Sequence, residues 1–345
     1  MSIKINSIQG ISAMSANSIN RWFRTNPDIA NRNPNWRFGF QGVVAGYTSG
    51  GQSPPLSPPS TNVIDKFPFA SDANATDVGD LTVARRDIGG GQSSTVSGYT
   101  SGGAISAPTD SNVIDKFPFA SNANATDVGD LSVIRSATAG QSSGVSGYTS
   151  GGNINPNNPF PTGFSNVIDK FPFASNANAT DVGDLNLVRK FAAGQSSDVS
   201  GYTSGGSRIP PAPPLIPTAT NIIDKFPFAT DLNATFVGNL SVARMLLTGQ
   251  SSNVSGYSSG GYIPTPTTSN VIDKFPFATD ANATDVGDLT TVRSRVAGQS
   301  STVSGYTSGG SSSNVIDKFP FASNANATDV GDLSIIRSGG AGQQD

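Results

Sequence analysis

One passage of about twenty residues recurs six times along this chain, and that repetition constrains the fold more than any other feature. "NVIDKFPFASDANATDVGDL" spans residues 62–81 and returns with few changes from Asn112, Asn166, Asn221, Asn270 and Asn314. Two shorter passages, "GYTSGG" and "GQSS", recur between the copies. Self-similarity at a period of about 50 residues is the signature of a repeat architecture.

A full repeat contains four candidate strands, "GQSS", "GYTSGG", "NVIDKFPFA" and "DVGDL", bounded by Gly, Asn, Asp and Pro. "GQSS" occurs five times, from Gly91, Gly140, Gly194, Gly249 and Gly298. In the third candidate strand, apolar residues occupy both faces of the strand, which suits a sheet covered on both sides. We predict that four residues of each repeat lie in the core. In the first repeat they are Val63, Phe67, Phe69 and Leu81.

Six four-stranded units predict an all-β fold, a six-bladed β-propeller of four-stranded blades with an irregular N-terminal arm at residues 1–38. An open β-solenoid is the alternative. The propeller would span residues 39–345, in units of about 39–90, 91–139, 140–193, 194–248, 249–297 and 298–345. We expect Gly46 and Gly305 to lie in adjacent blades, and the C-terminus to overlap the first blade without adding a whole strand.

The composition argues against several classes of enzyme. The chain has no Cys, no His and no Glu, and all 24 acidic residues are Asp. Without Cys it has no disulfide or thiolate site, and without His it lacks the side chain that titrates near neutrality. Since no unique polar cluster stands out among the repeats, we expect a non-enzymatic protein without cofactors. No long apolar run predicts a membrane span, and residues 1–23 do not read as a secretory signal.

The repeat resembles the kelch family of propeller proteins. The double Gly after Tyr99 resembles the kelch Gly-Gly, and Asp65, Lys66 and Phe67 resemble its acidic, basic and aromatic third strand. The arginines that resemble the residue after the fourth kelch strand are Arg86, Arg135, Arg189, Arg244, Arg293 and Arg337. The kelch Trp is absent from every repeat. The near-identity of the copies resembles kelch-type propellers predicted in marine bacteriophages, which implies a virion protein.

Only one connection changes length from repeat to repeat. The loop between the double Gly and the Asn of "NVIDKF" holds 10, 8, 13, 14, 8 and 3 residues in the six repeats. These loops are rich in Pro and would emerge at one face of a propeller, which predicts a contact surface. Tolerated insertion in solvent is the alternative. In the two longest loops we expect four exposed apolar residues, Phe160, Phe164, Leu215 and Ile216.

The repeated polar residues have structural and functional interpretations. Asp72, Asn74, Asp77 and Asp80 have a rhythm that resembles a calcium loop, although no Glu completes it and the EF-hand spacing is absent. Turn capping by Asn and Asp is the interpretation we favour. We also expect each repeat's Lys to meet an Asp or Arg of the neighbouring blade.

Residues 1–38 belong to no repeat and contain both tryptophans and five basic residues against one Asp. Two interpretations are open, an arm folded over the propeller and a tether to another protein. We favour the tether. Its expected contact residues are Trp22, Arg24 and Trp36, because Trp and Arg are common anchors of protein interfaces.

The leading hypothesis is a structural or binding protein of a bacteriophage virion, such as a tail-fibre, appendage or capsid-surface component. It would be made in the host cytoplasm and would be oligomeric within the particle. The arm would bind virion proteins, and the variable loops would bind a host-surface glycan or protein. We expect no nucleic-acid partner. A carbohydrate-binding propeller is the alternative, and a hydrolase on a propeller scaffold has less support.

Overall fold

The computed structural model describes residues 41–54, 60–106, 109–154, 163–209, 217–264 and 267–345, and these residues are all β. In chain order the strands are β1 (Ala45–Gln52), β2 (Ser60–Pro68), β3 (Thr76–Arg85), β4 (Gly90–Ser93), β5 (Ser97–Ser101), β6 (Ala104–Ser106), β7 (Thr109–Asp110), β8 (Val113–Pro118), β9 (Thr126–Asp130), β10 (Ala139–Ser142), β11 (Ser146–Asn153), β12 (Phe164–Pro172), β13 (Thr180–Asp184), β14 (Arg189–Lys190), β15 (Ala193–Ser196), β16 (Ser200–Ser204), β17 (Ser207–Arg208), β18 (Thr218–Ala219), β19 (Ile222–Pro227), β20 (Thr235–Asn239), β21 (Thr248–Ser251), β22 (Ser255–Ser259), β23 (Tyr262–Ile263), β24 (Thr267–Thr268), β25 (Val271–Pro276), β26 (Thr284–Asp288), β27 (Ala297–Ser300), β28 (Ser304–Ser308), β29 (Val315–Pro320), β30 (Thr328–Asp332) and β31 (Ala341–Gln344). Across these ranges no helix has the length and hydropathy to cross a membrane.

The repeated passages form four-stranded antiparallel sheets, as the sequence predicts. Within a repeat, "GQSS" gives the inner strand and "GYTSGG", "VIDKFP" and "TDVGD" give the next three. From inner to outer strand the sheets are β31-β1-β2-β3, β4-β5-β8-β9, β10-β11-β12-β13, β15-β16-β19-β20, β21-β22-β25-β26 and β27-β28-β29-β30. Each of these sheets is open at both edges. Smaller sheets, β6-β7, β14-β17-β18 and β23-β24, involve the variable loops.

The first of these sheets joins the two ends of the described chain. Its inner strand is β31, which pairs antiparallel with β1 from Gly46↔Gln344 to Ser49↔Ala341. The expectation that the C-terminus contributes no whole strand is therefore wrong. The cause is that the first repeat has no "GQSS" of its own, and "AGQQ" at residues 341–344 fills that place.

Consecutive sheets share their core. The Tyr47 ring stacks on Phe119 of the next repeat, with centroids 4.9 Å apart, and meets Phe117 at 5.5 Å. Phe69 of the first repeat stacks in the same way on Tyr306 of the last, at 4.7 Å. Gly98 permits this packing, because a Cβ there would lie 2.3 Å from the Phe117 ring.

The predicted core residues are only partly correct. Phe67 and Leu81 are buried, but Val63 is half-buried and the fully buried residue beside it is Ile64. Phe69 is also half-buried in the first repeat. Since both faces of the strand are covered, alternation along the strand does not separate core from solvent.

Buried hydroxyl and amide groups link each sheet to the next. Gln92 Nε2 donates to the Tyr148 carbonyl and to Thr149 Oγ1 of the following repeat, both at 2.9 Å. Ser101 Oγ and Thr149 Oγ1 are 2.7 Å apart, and Ser308 Oγ and Thr48 Oγ1 make the same contact at 2.8 Å between the last repeat and the first. The polar residues of "GQSS" and "GYTSGG" thus satisfy one another in the interior.

The inner strands succeed one another in a cyclic order of contacts. β4 contacts β10, β10 contacts β15, and the series continues through β21, β27 and β31 back to β4. We call the end of these strands where the variable loops join the loop end, and the opposite end the turn end. The described chain begins at the turn end, where Gln41 Nε2 donates to the carbonyls of Ser251 and Ser301, each at 3.2 Å.

Candidate binding site at the loop end

The constant length of the fixed loop between "NVIDKFPFA" and "DVGDL" has a packing explanation. Asn124, in the fixed loop of one repeat, accepts a hydrogen bond from the Asp80 amide of the preceding repeat at 3.0 Å. The Ala125 amide donates to the Asp80 carbonyl at 2.8 Å. An insertion there would break these contacts between sheets. The variable loop lies at the opposite end of the strands, away from these contacts, and can therefore change length. Its unequal lengths alone do not demonstrate a function.

The predicted contact residues fall mostly outside the described residues. Those outside are Trp22, Arg24, Trp36, Phe160, Leu215 and Ile216. Phe164 is described, and its expected exposure is wrong, since it is 6% exposed. Phe164 lies in β12 opposite Asn153, and the Lys190 ammonium is 4.6 Å from its ring centroid. Strand pairing and the lysine cover the ring.

A hydrogen-bonded ring of six backbone positions lies at the loop end. Each position is two residues after the buried arginine of its repeat, and each accepts a hydrogen bond from the next repeat at 2.6–3.2 Å. The last link runs from the Ile88 amide to the Gly339 carbonyl and returns the series to its start. The six-residue ring consists of Asp87, Ala137, Phe191, Leu246, Arg295 and Gly339.

The six-residue ring holds five non-glycine residues in the left-handed region of backbone conformation. Their φ angles lie between 49° for Asp87 and 59° for Leu246, and Gly339 has 68°. A non-glycine residue pays about 1–3 kcal/mol for such a conformation. Glycine would avoid this cost, yet only the sixth position uses it. The six residues also differ from one another, as do their neighbours between the buried arginine and "GQ". The left-handed conformation at five non-glycine positions makes this ring a candidate for a functional role.

Charged side chains from the ring and its neighbours converge at one part of the loop end. Arg295 Nη1 donates to Asp87 Oδ1 at 3.0 Å, and Arg86 Nε lies 3.8 Å from Asp87 Oδ2. The Arg295 guanidinium is 5.9 Å from the Phe191 ring centroid, and the Lys190 ammonium is 5.3 Å from it. We call these five residues, together with Asp110, the ring cluster.

The electrostatics of the ring cluster reflect its partial burial. Desolvation raises the pKa of Asp110, an effect that Asp87 adds to and that hydrogen bonds with Ser136 and Asn153 oppose. Desolvation lowers the pKa of Lys190, while Asp87 and Asp110 oppose that shift. Lys190 Nζ also donates to Asn153 Oδ1 at 3.0 Å. The charges of the ring cluster interact with one another, and the equivalent positions of the other repeats carry different residues.

Sequence reasoning missed this cluster because of a one-residue error in register. The buried equivalent of Arg135 in the first repeat is Arg85, which is fully buried and pairs with Asp115 at 2.6 Å, and not Arg86. Counting eight residues from the first residue of "DVGDL", which is Phe236 in the fourth repeat, gives the arginine in every repeat. The connection from Arg85 to Gly91 is then one residue longer than its equivalents, so the variable loop is not the only connection that changes length. With Arg85 in place, Asp87 aligns with Phe191 and Arg295, and their diversity becomes visible in the sequence.

The calcium candidates make protein contacts at the turn end. Asp72 accepts a hydrogen bond from Lys318 Nζ at 3.0 Å, Asn74 Oδ1 accepts one from the Asp332 amide at 3.0 Å, and Asp77 Oδ1 accepts one from the Gly79 amide at 3.1 Å. Asp80 lies in β3 opposite Val63. Within the described ranges no group of three or more acidic side chains is arranged to hold a metal ion.

The expected lysine contacts between repeats occur where the next repeat supplies an Asp. The ion pairs are Lys170–Asp231, Lys225–Asp280 and Lys318–Asp72, at 3.0–3.1 Å. For Lys66, Lys116 and Lys274, the next repeat has an Asn in place of this Asp, at Asn122, Asn176 and Asn324.

No protein-family model matches the sequence, and no curated protein matches it. The likeness to kelch propellers therefore rests on the residues of the repeat.

Proposed function

We propose that the six four-stranded sheets are the blades of a closed β-propeller, and that this chain is a non-enzymatic binding protein which uses the loop end as its contact surface. The cyclic order of inner-strand contacts supports the closed ring. So do the contacts between first and last repeats, Phe69 with Tyr306 and Thr48 with Ser308. In an open solenoid the terminal repeats would lie far apart.

A pair of introduced cysteines tests the ring, because the chain has no cysteine of its own. Thr48→Cys with Ser308→Cys joins the first and last repeats, where the two hydroxyl oxygens are 2.8 Å apart. Ser150→Cys with Thr203→Cys is the matched control between two consecutive repeats, at 2.9 Å. A closed ring forms both disulfides on mild oxidation. An open stack forms only the control disulfide.

The observation that carries the binding role is the concentration of asymmetry at the loop end. The unequal loops and the six different ring residues both lie there, whereas the turn end carries the near-identical fixed loops. A partner that docks in one orientation must contact residues that differ between repeats. The first described residue, Gln41, lies at the turn end, where its Nε2 donates to the carbonyls of Ser251 and Ser301.

We place this protein in a bacteriophage particle, as a tail-fibre, appendage or capsid-surface component. The support is the resemblance of its repeats to phage kelch-type propellers. In this proposal the N-terminal residues attach the protein to the virion through Trp22, Arg24 and Trp36, and the loop end faces outward to a host-surface glycan or protein.

Loop exchange tests the binding role. Replacing residues 207–220 with the eight residues 104–111 shortens the long loop of the fourth repeat to a loop that the second repeat already carries. The melting temperature should stay within a few degrees of the parent. Binding of labelled protein to host cells should fall. The control exchanges 262–269 for 104–111, which keeps the length. Equal binding by all three proteins would refute a contact role for the long loop.

A further inference from the structure

We propose that the ring cluster binds the carboxylate group of a small organic acid, with Arg295 as the principal contact. This inference rests on the proposed binding function and names the ligand chemistry of one part of the loop end. Nothing in it requires the long loops, so its test is independent of the loop exchange.

The charge of the ring cluster favours an anionic ligand. The cluster contains three basic residues, Arg86, Lys190 and Arg295, against two acidic residues. Residues 39–345 as a whole contain 16 basic and 23 acidic residues. A cationic site on an acidic protein favours anionic ligands at that site.

Arg295 is accessible to a ligand from solvent. Its side chain is 37% exposed, compared with 16% for Asp87 and 19% for Arg86. Beside it stands the shortest of the six variable loops, the three residues after Gly310, and the Ser311 amide donates to the Ser294 carbonyl at 3.0 Å. Arg295 is therefore the most exposed of these three side chains and lies beside the shortest variable loop.

The Asp87 carboxylate pairs with Arg295 in the way that a ligand carboxylate would. A guanidinium has five N–H donors in a planar fork that matches a carboxylate, and Arg295 Nη1 already donates to Asp87 Oδ1. The side chain of Asp87 reaches Arg295 past Gly339, where a Cβ would lie 3.1 Å from Asp87 Oδ1. An incoming carboxylate would share or replace the pairing of Asp87 with Arg295.

The rest of the cluster favours an organic anion over inorganic phosphate. Phe191 is half-buried, and its ring offers apolar surface beside Lys190 and Arg295. Lys190 lies 4.6 and 5.3 Å from the centroids of two aromatic rings, which hold its ammonium in a partly desolvated place. A carboxylate on a small carbon skeleton, including a sugar acid with the apolar C–H face of its ring, satisfies both the cations and the apolar surface.

Titration of the full chain with D-glucuronate, acetate and D-glucose tests the proposal, monitored by amide chemical shifts. We expect saturable binding of glucuronate and no binding of glucose. Equal affinities for acetate and glucuronate would assign recognition to the carboxylate alone, and tighter glucuronate binding would assign part of it to the sugar. Both outcomes support the site. Binding of glucose equal to that of glucuronate, or no binding of either acid, would overturn it.

Two substitutions with opposite expected effects separate a ligand site from a structural ion pair. Arg295→Gln should weaken glucuronate binding about tenfold or more, since a charged hydrogen bond contributes about 1.5–3 kcal/mol. Asp87→Asn should strengthen binding several-fold by removing the competing carboxylate. Arg295→Lys keeps the charge and should retain part of the affinity. Lys274→Gln, a charge loss at the turn end, is the control. If Asp87→Asn and Arg295→Gln change the affinity in the same direction, the proposal fails.

Discussion

Arg337 of the last repeat and Asp65 of the first form a buried ion pair, with Nη2 and Oδ2 2.9 Å apart and both side chains at most 1% exposed. Five other arginines pair in the same way with the Asp of the following repeat. Desolvation lowers the pKa of Arg337, and Asp65 opposes that shift. Each arginine also donates to backbone carbonyls, such as that of Val63 at 2.7 Å from Arg337 Nη1.

Removing the carboxylate of one pair should be strongly destabilising. Asp169→Asn leaves the Arg135 guanidinium buried without its counter-charge, which costs about 3–5 kcal/mol. Asp65→Asn should cost as much, because its partner Arg337 is equally buried. Denaturant unfolding measures both free energies.

Lys170, the residue after Asp169, provides the control for this prediction. Lys170→Gln removes an ion pair with Asp231 whose side chains are 30% and 57% exposed, so its cost should be about 0–1 kcal/mol. A cost of Asp65→Asn near that of the control, with a large cost of Asp169→Asn, would contradict the closed arrangement.

The C-terminal strand should be required for stability. Deleting residues 341–345 removes β31, leaves the β1 edge unpaired, and removes the hydrogen bonds of Gln343 Nε2 to Ser49 Oγ and Thr100 Oγ1. At about 1 kcal/mol for each net hydrogen bond, the loss should reach several kcal/mol. Thermal unfolding of the truncated chain measures it, and a synthetic peptide of residues 338–345 should restore part of the melting temperature. An unchanged melting temperature on truncation would contradict the pairing.

The sequence predicted the repeating sheets well because the same strand and turn signals occur six times. It failed where a single residue breaks the repetition. The extra residue after Arg85 shifted the first repeat by one and concealed the alignment of Asp87 with Arg295. The sequence predicted that the C-terminus overlaps the first repeat but not that residues 341–344 form a whole strand, because so short a terminal segment does not specify its pairing with β1. The ring cluster depends on backbone hydrogen bonds between repeats, which no local pattern specifies.

The aromatic packing between sheets predicts a large cost for Phe117→Ala. Phe117 is 1% exposed and its ring contacts Tyr47 of the preceding repeat. Loss of the ring and the cavity left behind should cost about 3–5 kcal/mol. Val145→Ala is the matched control, since Val145 is 72% exposed and should cost less than about 0.5 kcal/mol. Chemical denaturation compares the two variants, and a cost below that of the control would place Phe117 outside the core.

Calcium removal should leave the fold unchanged. Asp72 and Asp77 are engaged by Lys318 and by the Gly79 amide, so their oxygens already stabilise the protein without a metal. The melting temperature with a calcium chelator should equal that with added calcium. The fourth repeat is an internal control, because Phe236 and Asn239 replace two of the Asp positions. A calcium-dependent rise in melting temperature, together with its loss on Asp77→Asn, would establish the metal site that we do not favour.

The buried tyrosines predict a loss of stability in alkali. Desolvation raises the pKa of Tyr148 to about 12, and it raises the pKa of its five equivalents. An unfolded tyrosine ionises at its ordinary pKa of 10.0, so between that pH and about 12 the folded state binds more protons than the unfolded state. The contribution of these tyrosines to the free energy of unfolding therefore falls as pH rises through this window.

Tyr148→Phe removes one of these groups together with its hydrogen bond to the Phe228 carbonyl at 3.3 Å. At neutral pH the variant should be less stable than the parent by about 0.5–1.5 kcal/mol, the net value of one hydrogen bond. The difference should shrink as pH rises, because the variant lacks one titrating group. Tyr262, which lies outside the six equivalent positions and is half-buried in β23, supplies the control as Tyr262→Phe. Circular dichroism with denaturant at several pH values measures both. If the parent and Tyr148→Phe lose stability in parallel through this window, the raised pKa of Tyr148 in the folded state is wrong.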